Sequence, residues 1–420
     1  MNLIEKYKKK VLQILVLLLS LCILIPATSA IDISGEEKTI FTAEEDAGIY
    51  AAIDSGNILI REALLDKVSS WSKFYIYNIS EEKLEKIADY SFYSHNLAIN
   101  KNIAVWQGKS EERDWVEGKY DVYVYNLDER NTPKIIVDKF NSVDDLTVGE
   151  NMIIITGRNS IAESSDYDHG DIFVYNLEDG DMNRYELPGF QSEVAISGKN
   201  IFFRDNRYGQ LTAMVHLMNI ETGETWQIGD EEKGVYLSPD ISGDKIVYKF
   251  DEDFGSFLKD SAPQLLLMTD ISSNETTIIA SPGERIKGGP KIDSDNIVWG
   301  DKRNGIYYSV WFYNVNEGKE VFIADTNEEY GTEVDISGDT VIWTDIVDGK
   351  DVLKLIRLDI PENSAYVTGA QQTPELEKST TENDPGESTI KPAGLYSEIT
   401  FAAIIFGLCI FAMRTINYKK

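Results

Sequence analysis

The strongest constraint on the fold is a short phrase that returns seven times. It is clearest at Ser238-Pro239-Asp240-Ile241-Ser242-Gly243-Asp244-Lys245-Ile246-Val247-Tyr248. Two small apolar runs flank a polar turn that contains glycine, the pattern of a β-hairpin. The phrase recurs from Ile292 to Trp299, from Ile336 to Trp343 and from Ile196 to Phe203, with looser copies starting at Ile53, Ile99 and Val148. The anchors Ile53, Ile99, Val148, Ile196, Ile241, Ile292 and Ile336 are spaced by 44 to 51 residues. Such a period belongs to the four-stranded antiparallel blades of a β-propeller.

Seven positions after each anchor stands Ile60, Trp106, Ile155, Phe203, Tyr248, Trp299 or Trp343. Two residues earlier stands Ile58, Ala104, Ile153, Ile201, Ile246, Ile297 or Val341. Residues two apart share one face of a strand, so both sets are expected in the core between blades. The second half of each repeat holds a strand ending in an Asx-apolar pair, as in Asn126-Leu127, Asn176-Leu177 and Asn314-Val315. An Asn or Asp there can bond its own backbone two residues on and start a tight turn. The seventh repeat ends without a fourth strand, while Lys38 to Ala43 reads like Glu320 to Ala324. The expectation is an all-β, seven-bladed β-propeller over residues 31–361, closed by an N-terminal strand near Ile40 that completes the last blade and covers an open edge.

The two ends read differently. Lys6, Lys8, Lys9 and Lys10, the apolar run from Val11 to Ile25 and Ala27-Thr28-Ser29-Ala30 make residues 1–30 a signal peptide. Residues 362–394 are rich in Ser, Thr, Pro and Glu and read as a flexible stalk. Residues 395–413 form an apolar segment, and about 19 such residues suffice to cross a bilayer as a C-terminal transmembrane helix. Arg414, Lys419 and Lys420 in the 414–420 tail should stay cytoplasmic. The propeller is therefore expected at the cell surface. Its one cysteine outside the signal, Cys409, lies in the membrane segment, so no disulfide is available to the exported part. A formal charge of −31 argues against nucleic acid as a partner.

The phrase Pro-x-Ile-Ser-Gly-Asp-x-Ile-Val-Trp/Tyr, a glycine turn and a strand ending Tyr-Asn-Leu together resemble TolB-type β-propeller repeats. They are similar to those of archaeal cell-surface proteins in particular. Asp301-Lys-Arg-Asn-Gly305 and Asp205-Asn-Arg-Tyr-Gly209 match that family's turn between second and third strands. The resemblance implies the fold over most of the chain and leaves function open, since such propellers serve many roles.

Function has to be sought where the repeats differ. No G-x-S-x-G elbow, H-E-x-x-H helix or Gly-rich phosphate loop is present, and the three histidines fall in three repeats. The chain is expected to be a non-enzyme: a binding, adhesion or envelope-organising module for an extracellular or envelope protein or glycan. The alternative is a surface enzyme, a hydrolase or lyase acting on polysaccharide or peptide at the central channel. The loops after the second strands of repeats one, two, three and five are long. They carry Trp71; Glu111, Glu112, Asp114 and Trp115; Tyr167; and Asp251, Asp253 and Phe254, the expected recognition face. Asp166 and Asp168 are spaced to offer carboxylates to Ca²⁺. Asn274, in Asn274-Glu-Thr276, is the candidate glycosylation site, whereas Asn78 occupies a repeat turn and reads as structural.

Overall fold

In a computed structural model the described residues are 35–65, 70–91, 94, 96–109, 120–158, 170–207, 213–229, 234–252, 264–281 and 286–360. They form seven four-stranded antiparallel sheets. The inner strands of successive sheets pack side by side around a ring, the first against the seventh included. Each sheet is a blade, numbered 1 to 7 from Ile53 onward. The inner strands are Gly48–Asp54, Leu97–Asn100, Ser142–Val148, Gln191–Ser197, Val235–Ser242, Ile286–Asp293 and Val334–Ser337. An all-β seven-bladed propeller is therefore the fold. The expected signal, stalk, transmembrane segment and tail lie outside the described residues. Among the described residues no helix is long and apolar enough to cross a membrane.

The repeated phrase makes the hairpin between inner and second strands. In blade 5, Ile241 pairs with Ile246 and Ser242 with Lys245, leaving a two-residue turn. Its first residue, Gly243, has φ +60°, as Gly198 (+57°) and Gly338 (+62°) do in their blades. Glycine enters this left-handed region without a Cβ penalty, which is why the phrase carries it. The Asx residues build the second turn. Asn126, Asn176, Asn219 and Asp270 each accept a backbone N–H two or three residues on through Oδ1, at 2.8 to 3.0 Å.

Burial follows the periodicity. Trp106, Trp299 and Trp343 are fully buried, as are Ile60, Ile155 and Phe203 at the equivalent position. Apolar residues gather in clusters that join neighbouring blades. Val298, Val310 and Phe312 of blade 6 meet Val334, Val341 and Trp343 of blade 7, for example. Phe41, Ile342, Leu353 and Leu355 of blade 7 likewise meet Ile49, Ile53 and Ile58 of blade 1. Blade 7 takes its outer strand from Lys38–Thr42, antiparallel to Lys350–Arg357 with Lys38 opposite Leu355 and Thr42 opposite Val352. The described ends, near Gly35 and Ile360, thus leave from the face that carries the repeated hairpins. The loops after second strands and the links between blades occupy the opposite face.

Candidate functional site: the channel wall

Seven inner strands side by side enclose a central channel, and strand alternation decides what lines it. With each anchor turned into the inter-blade core, the positions one and three before it share the other face. The tier one before the anchor reads Ala52, Ala98, Thr147, Ala195, Asp240, Lys291 and Asp335 around the ring. The tier three before reads Tyr50, Asn96, Asp145, Glu193, Ser238, Gly289 and Glu333. Small side chains therefore occupy blades 1 to 4 in the first tier, and charged ones blades 5 to 7.

The inner strands of blades 3 to 6 share a further feature. Each breaks register next to the second tier, between Val143 and Asp145, Ser192 and Val194, Leu237 and Asp240, and 287 and Lys291. Glu193 and Ser238 sit there at φ +49° and +51°. Such bulges re-aim side chains, and here they turn carboxylates toward amides of the next blade. Asp145 Oδ2 accepts the amide of Val194 at 2.8 Å, and Glu193 Oε2 accepts that of Ser238 at 2.5 Å. In the first tier Asp240 Oδ2 accepts the Ile292 amide at 2.9 Å, and Asp335 Oδ2 that of Ile53 at 2.9 Å.

Lys291 stands between Asp240 and Asp335 and also feels Asp145 across the channel and Glu333 on the neighbouring blade. Asp240, the largest influence, helps to hold its ammonium more firmly protonated than that of an ordinary lysine. Removal from bulk water pushes the carboxyls toward their protonated, neutral form. Asp145 and Asp335 are each raised to about 6 although the amides they accept, and Lys291, pull them down. Asp240 is raised for the same first reason. Loss of solvation disfavours the charged carboxylate, and opposite charge and hydrogen bonds favour it. These side chains keep part of their surface open to the channel.

The residues expected to recognise a partner are not gathered into one described face. Asp166, Tyr167, Asp168, Glu111, Glu112, Asp114, Trp115, Asp253 and Phe254 lie outside the described residues. Asp251 is a correction: at 2% exposed it ends the second strand of blade 5, opposite Val235. Asp205, Asp301 and Asp345 are buried near the same place in their blades. Arg207 and Arg303 show what such an aspartate does, binding Asp205 and Asp301 at 2.6 Å and fixing the turn after the second strand. Trp71 is half-buried against the cluster between blades 7 and 1, with the Lys73 ammonium 4.2 Å from its ring centre. Asn274 is exposed in a turn at φ +55°. Asn78 is tied into its turn by Ser80, Glu81 and Asn57. No group of three or more His, Cys, Asp or Glu that could hold a metal ion occurs among the described residues. The channel tiers were missed because their residue types change from blade to blade. Their signal was positional, the residues flanking each apolar anchor at strand spacing.

No protein-family profile matches the chain, and no curated sequence matches it. Solved structures do. The β-propeller domain of the trilobed protease from Pyrococcus furiosus, described as having an open velcro topology, superposes with a TM-score of 0.57 at 11% identity. That match covers 79% of this chain and 100% of that one. Pyrococcus horikoshii acylaminoacyl peptidase matches at 0.53 and 13% identity, covering 74% of this chain and 51% of that one. A prolyl endopeptidase matches at 0.50 and 9%, covering 76% and 48%. The chain thus spans about half the length of the last two. At such identities the likeness establishes the propeller fold. It also corrects two expectations, that of a binding, adhesion or envelope-organising module and that of a non-enzyme. The propellers this one is similar to are parts of peptidases.

Proposed function

We propose that the propeller serves peptide hydrolysis by admitting an unfolded peptide to its central channel. The two-sided channel wall carries this reading. Ala52, Ala98 and Thr147, all part-exposed, leave room on one side for an extended chain. Asp240, Lys291 and Asp335 on the other offer charged partners to its amides, carbonyls and basic side chains. The likeness to the propellers of the trilobed protease and acylaminoacyl peptidase supports it. Acyl transfer needs a nucleophile within reach of an oriented base. The one described histidine, His216, is instead buried and stacked on Phe203 at 5.8 Å.

The membrane-tethered location outside the cytoplasm remains part of the proposal, and rests on residues 1–30 and 395–413 of the sequence. The test is photo-crosslinking of the purified protein with unstructured peptides that carry a diazirine, read by peptide mapping. Adducts on the inner strands, Gly48–Asp54 and Gln191–Ser197 above all, are expected. A folded protein carrying the same label should give none there. Adducts only on outer-strand residues such as Ile135 and Trp226, or no adducts, would overturn the reading.

A further inference from the structure

The repeated Ile-Ser-Gly phrase has a second task besides making a turn. In five of the seven blades the residue after the anchor reaches across to the next blade and accepts an amide from its hairpin turn. Asp54 Oδ2 takes the Lys101 amide at 2.5 Å, and Ser197 Oγ that of Gly243 at 2.9 Å. Ser242 Oγ takes Ser294 at 2.8 Å, Asp293 Oδ2 takes Gly338 at 2.6 Å, and Ser337 Oγ takes Ser55 at 3.1 Å. These staples lock junctions 1–2, 4–5, 5–6, 6–7 and 7–1.

The two missing staples are consecutive. Blade 3 has Gly149 at this position, which has no side chain to offer. Its junction with blade 4 is still held from the channel, where Asp145 accepts the Val194 amide. Blade 2 has Asn100, whose Oδ1 is buried and has no hydrogen-bond partner. Asn96 Nδ2 donates to the Asp144 carbonyl at 3.0 Å, and the exposed side chains of Lys101 and Glu150 form an ion pair. Among the described residues, no side-chain oxygen of blade 2 accepts an amide of blade 3. An acceptor in the stapling position with nothing bound is an open latch, because leaving it buried and unpaired is unfavourable.

We propose that the junction between blades 2 and 3 is the seam at which this ring opens sideways, with Asn100 as its latch. The 7–1 closure, where a propeller's chain ends meet, stays shut. That closure is held three ways, by the strand pairing of Lys38–Thr42, by Asp335 on Ile53 and by Ser337 on Ser55. Closed, the latch takes the amide of Glu150, which stands in the place of Lys101 and Ser294. Open, the seam gives a peptide lateral access to the small-residue side of the channel, because Ala98 and Thr147 flank it. This last step rests on the proposed function, whereas the location of the seam does not.

Hydrogen exchange on the intact protein tests the seam directly. The hairpin at residues 148–153 should exchange about tenfold faster than the stapled hairpins at 241–246 and 336–341, the ratio expected for one missing hydrogen bond to the turn. Asn100→Asp, which copies the acceptor at Asp54 and Asp293, should slow exchange in 148–153 and leave blade 7 unchanged. Equal rates in the three hairpins, or fastest exchange at 336–341, would overturn the seam. A bismaleimide bridge between Asn100→Cys and Glu150→Cys should then abolish peptide crosslinking to the inner strands. The same bridge between Ser55→Cys and Ser337→Cys should leave it intact. Blocking by the second bridge alone would overturn lateral entry. Absence of crosslinking in the unbridged protein would instead remove the peptide reading, with the exchange result still deciding the seam.

Discussion

Asp335 accepts the backbone amide of Ile53 at 2.9 Å across 282 residues of sequence, joining blade 7 to blade 1. Its other carboxylate oxygen takes the amide of Ile336 at 2.9 Å. One side chain therefore satisfies an amide on each side of the ring closure. Asp335→Leu leaves the Ile53 amide without this acceptor beside an apolar cluster, which costs about 1–3 kcal/mol. Chemical denaturation should show a lower midpoint with an unchanged slope. A midpoint equal to that of the parent would mean that channel water replaces the carboxylate.

The staples predict a graded series. Ser242→Ala removes the acceptor for Ser294, and Ser197→Ala that for Gly243. Each exposed or half-exposed bond of this kind contributes about 0.5–1.5 kcal/mol. The double substitution should be additive, because the two bonds belong to different junctions. Thermal melts of the two single variants and the double variant decide it, and a double loss well beyond the sum would show the junctions unzipping together.

The inter-blade core is the larger contributor. Trp299 is fully buried with its indole N–H on Asp301 at 2.9 Å, whereas Trp226 is 46% exposed on the outer strand of blade 4. Trp299→Ala should cost about 3–5 kcal/mol. Trp226→Ala should stay within about 0.5 kcal/mol. Urea unfolding of the two variants separates a core tryptophan from a rim tryptophan of the same residue type.

These contrasts show what was readable in the chain. Trp106, Trp299 and Trp343 recur at one position of a repeat, two residues from a position that is apolar in all seven copies, so their burial follows from spacing. Gly243 could be placed in its turn because only a left-handed residue closes that hairpin well. Asp240 and Lys291 were harder. They occupy a position that is alanine in three other blades, so nothing in the repeat marks it. Their meaning comes from the ring that sets Asp145 of blade 3 across from Lys291 of blade 6, a relation that no local pattern encodes. Asp251 misled because the residues that follow it, Glu252 and Asp253, are acidic and read as a loop. Its burial depends on the inner strand that pairs with it, beginning 16 residues earlier at Val235.

The last prediction concerns acid, where two kinds of buried group act in opposite directions. His216 is buried, and loss of solvation lowers its pKa from 6.5 to about 4. In the unfolded chain it binds a proton first, so stability present above pH 6.5 is lost as pH falls toward 4. Asp145 and Asp335 are raised from 3.8 to about 6. Their contribution is fully present below pH 3.8 and is lost as pH rises through 6. His216→Phe keeps the stacking against Phe203 and removes the titration. Its stability gain over the parent should therefore grow as pH falls from 6.5 to 4. Asp145→Asn should do the reverse, gaining on the parent as pH rises from 4 to 7. Melting temperatures of both variants against the parent, taken every half unit of pH, read the two slopes separately. Parallel curves for His216→Phe and parent would show that the imidazole takes up its proton over the same pH range in the folded and the unfolded chain.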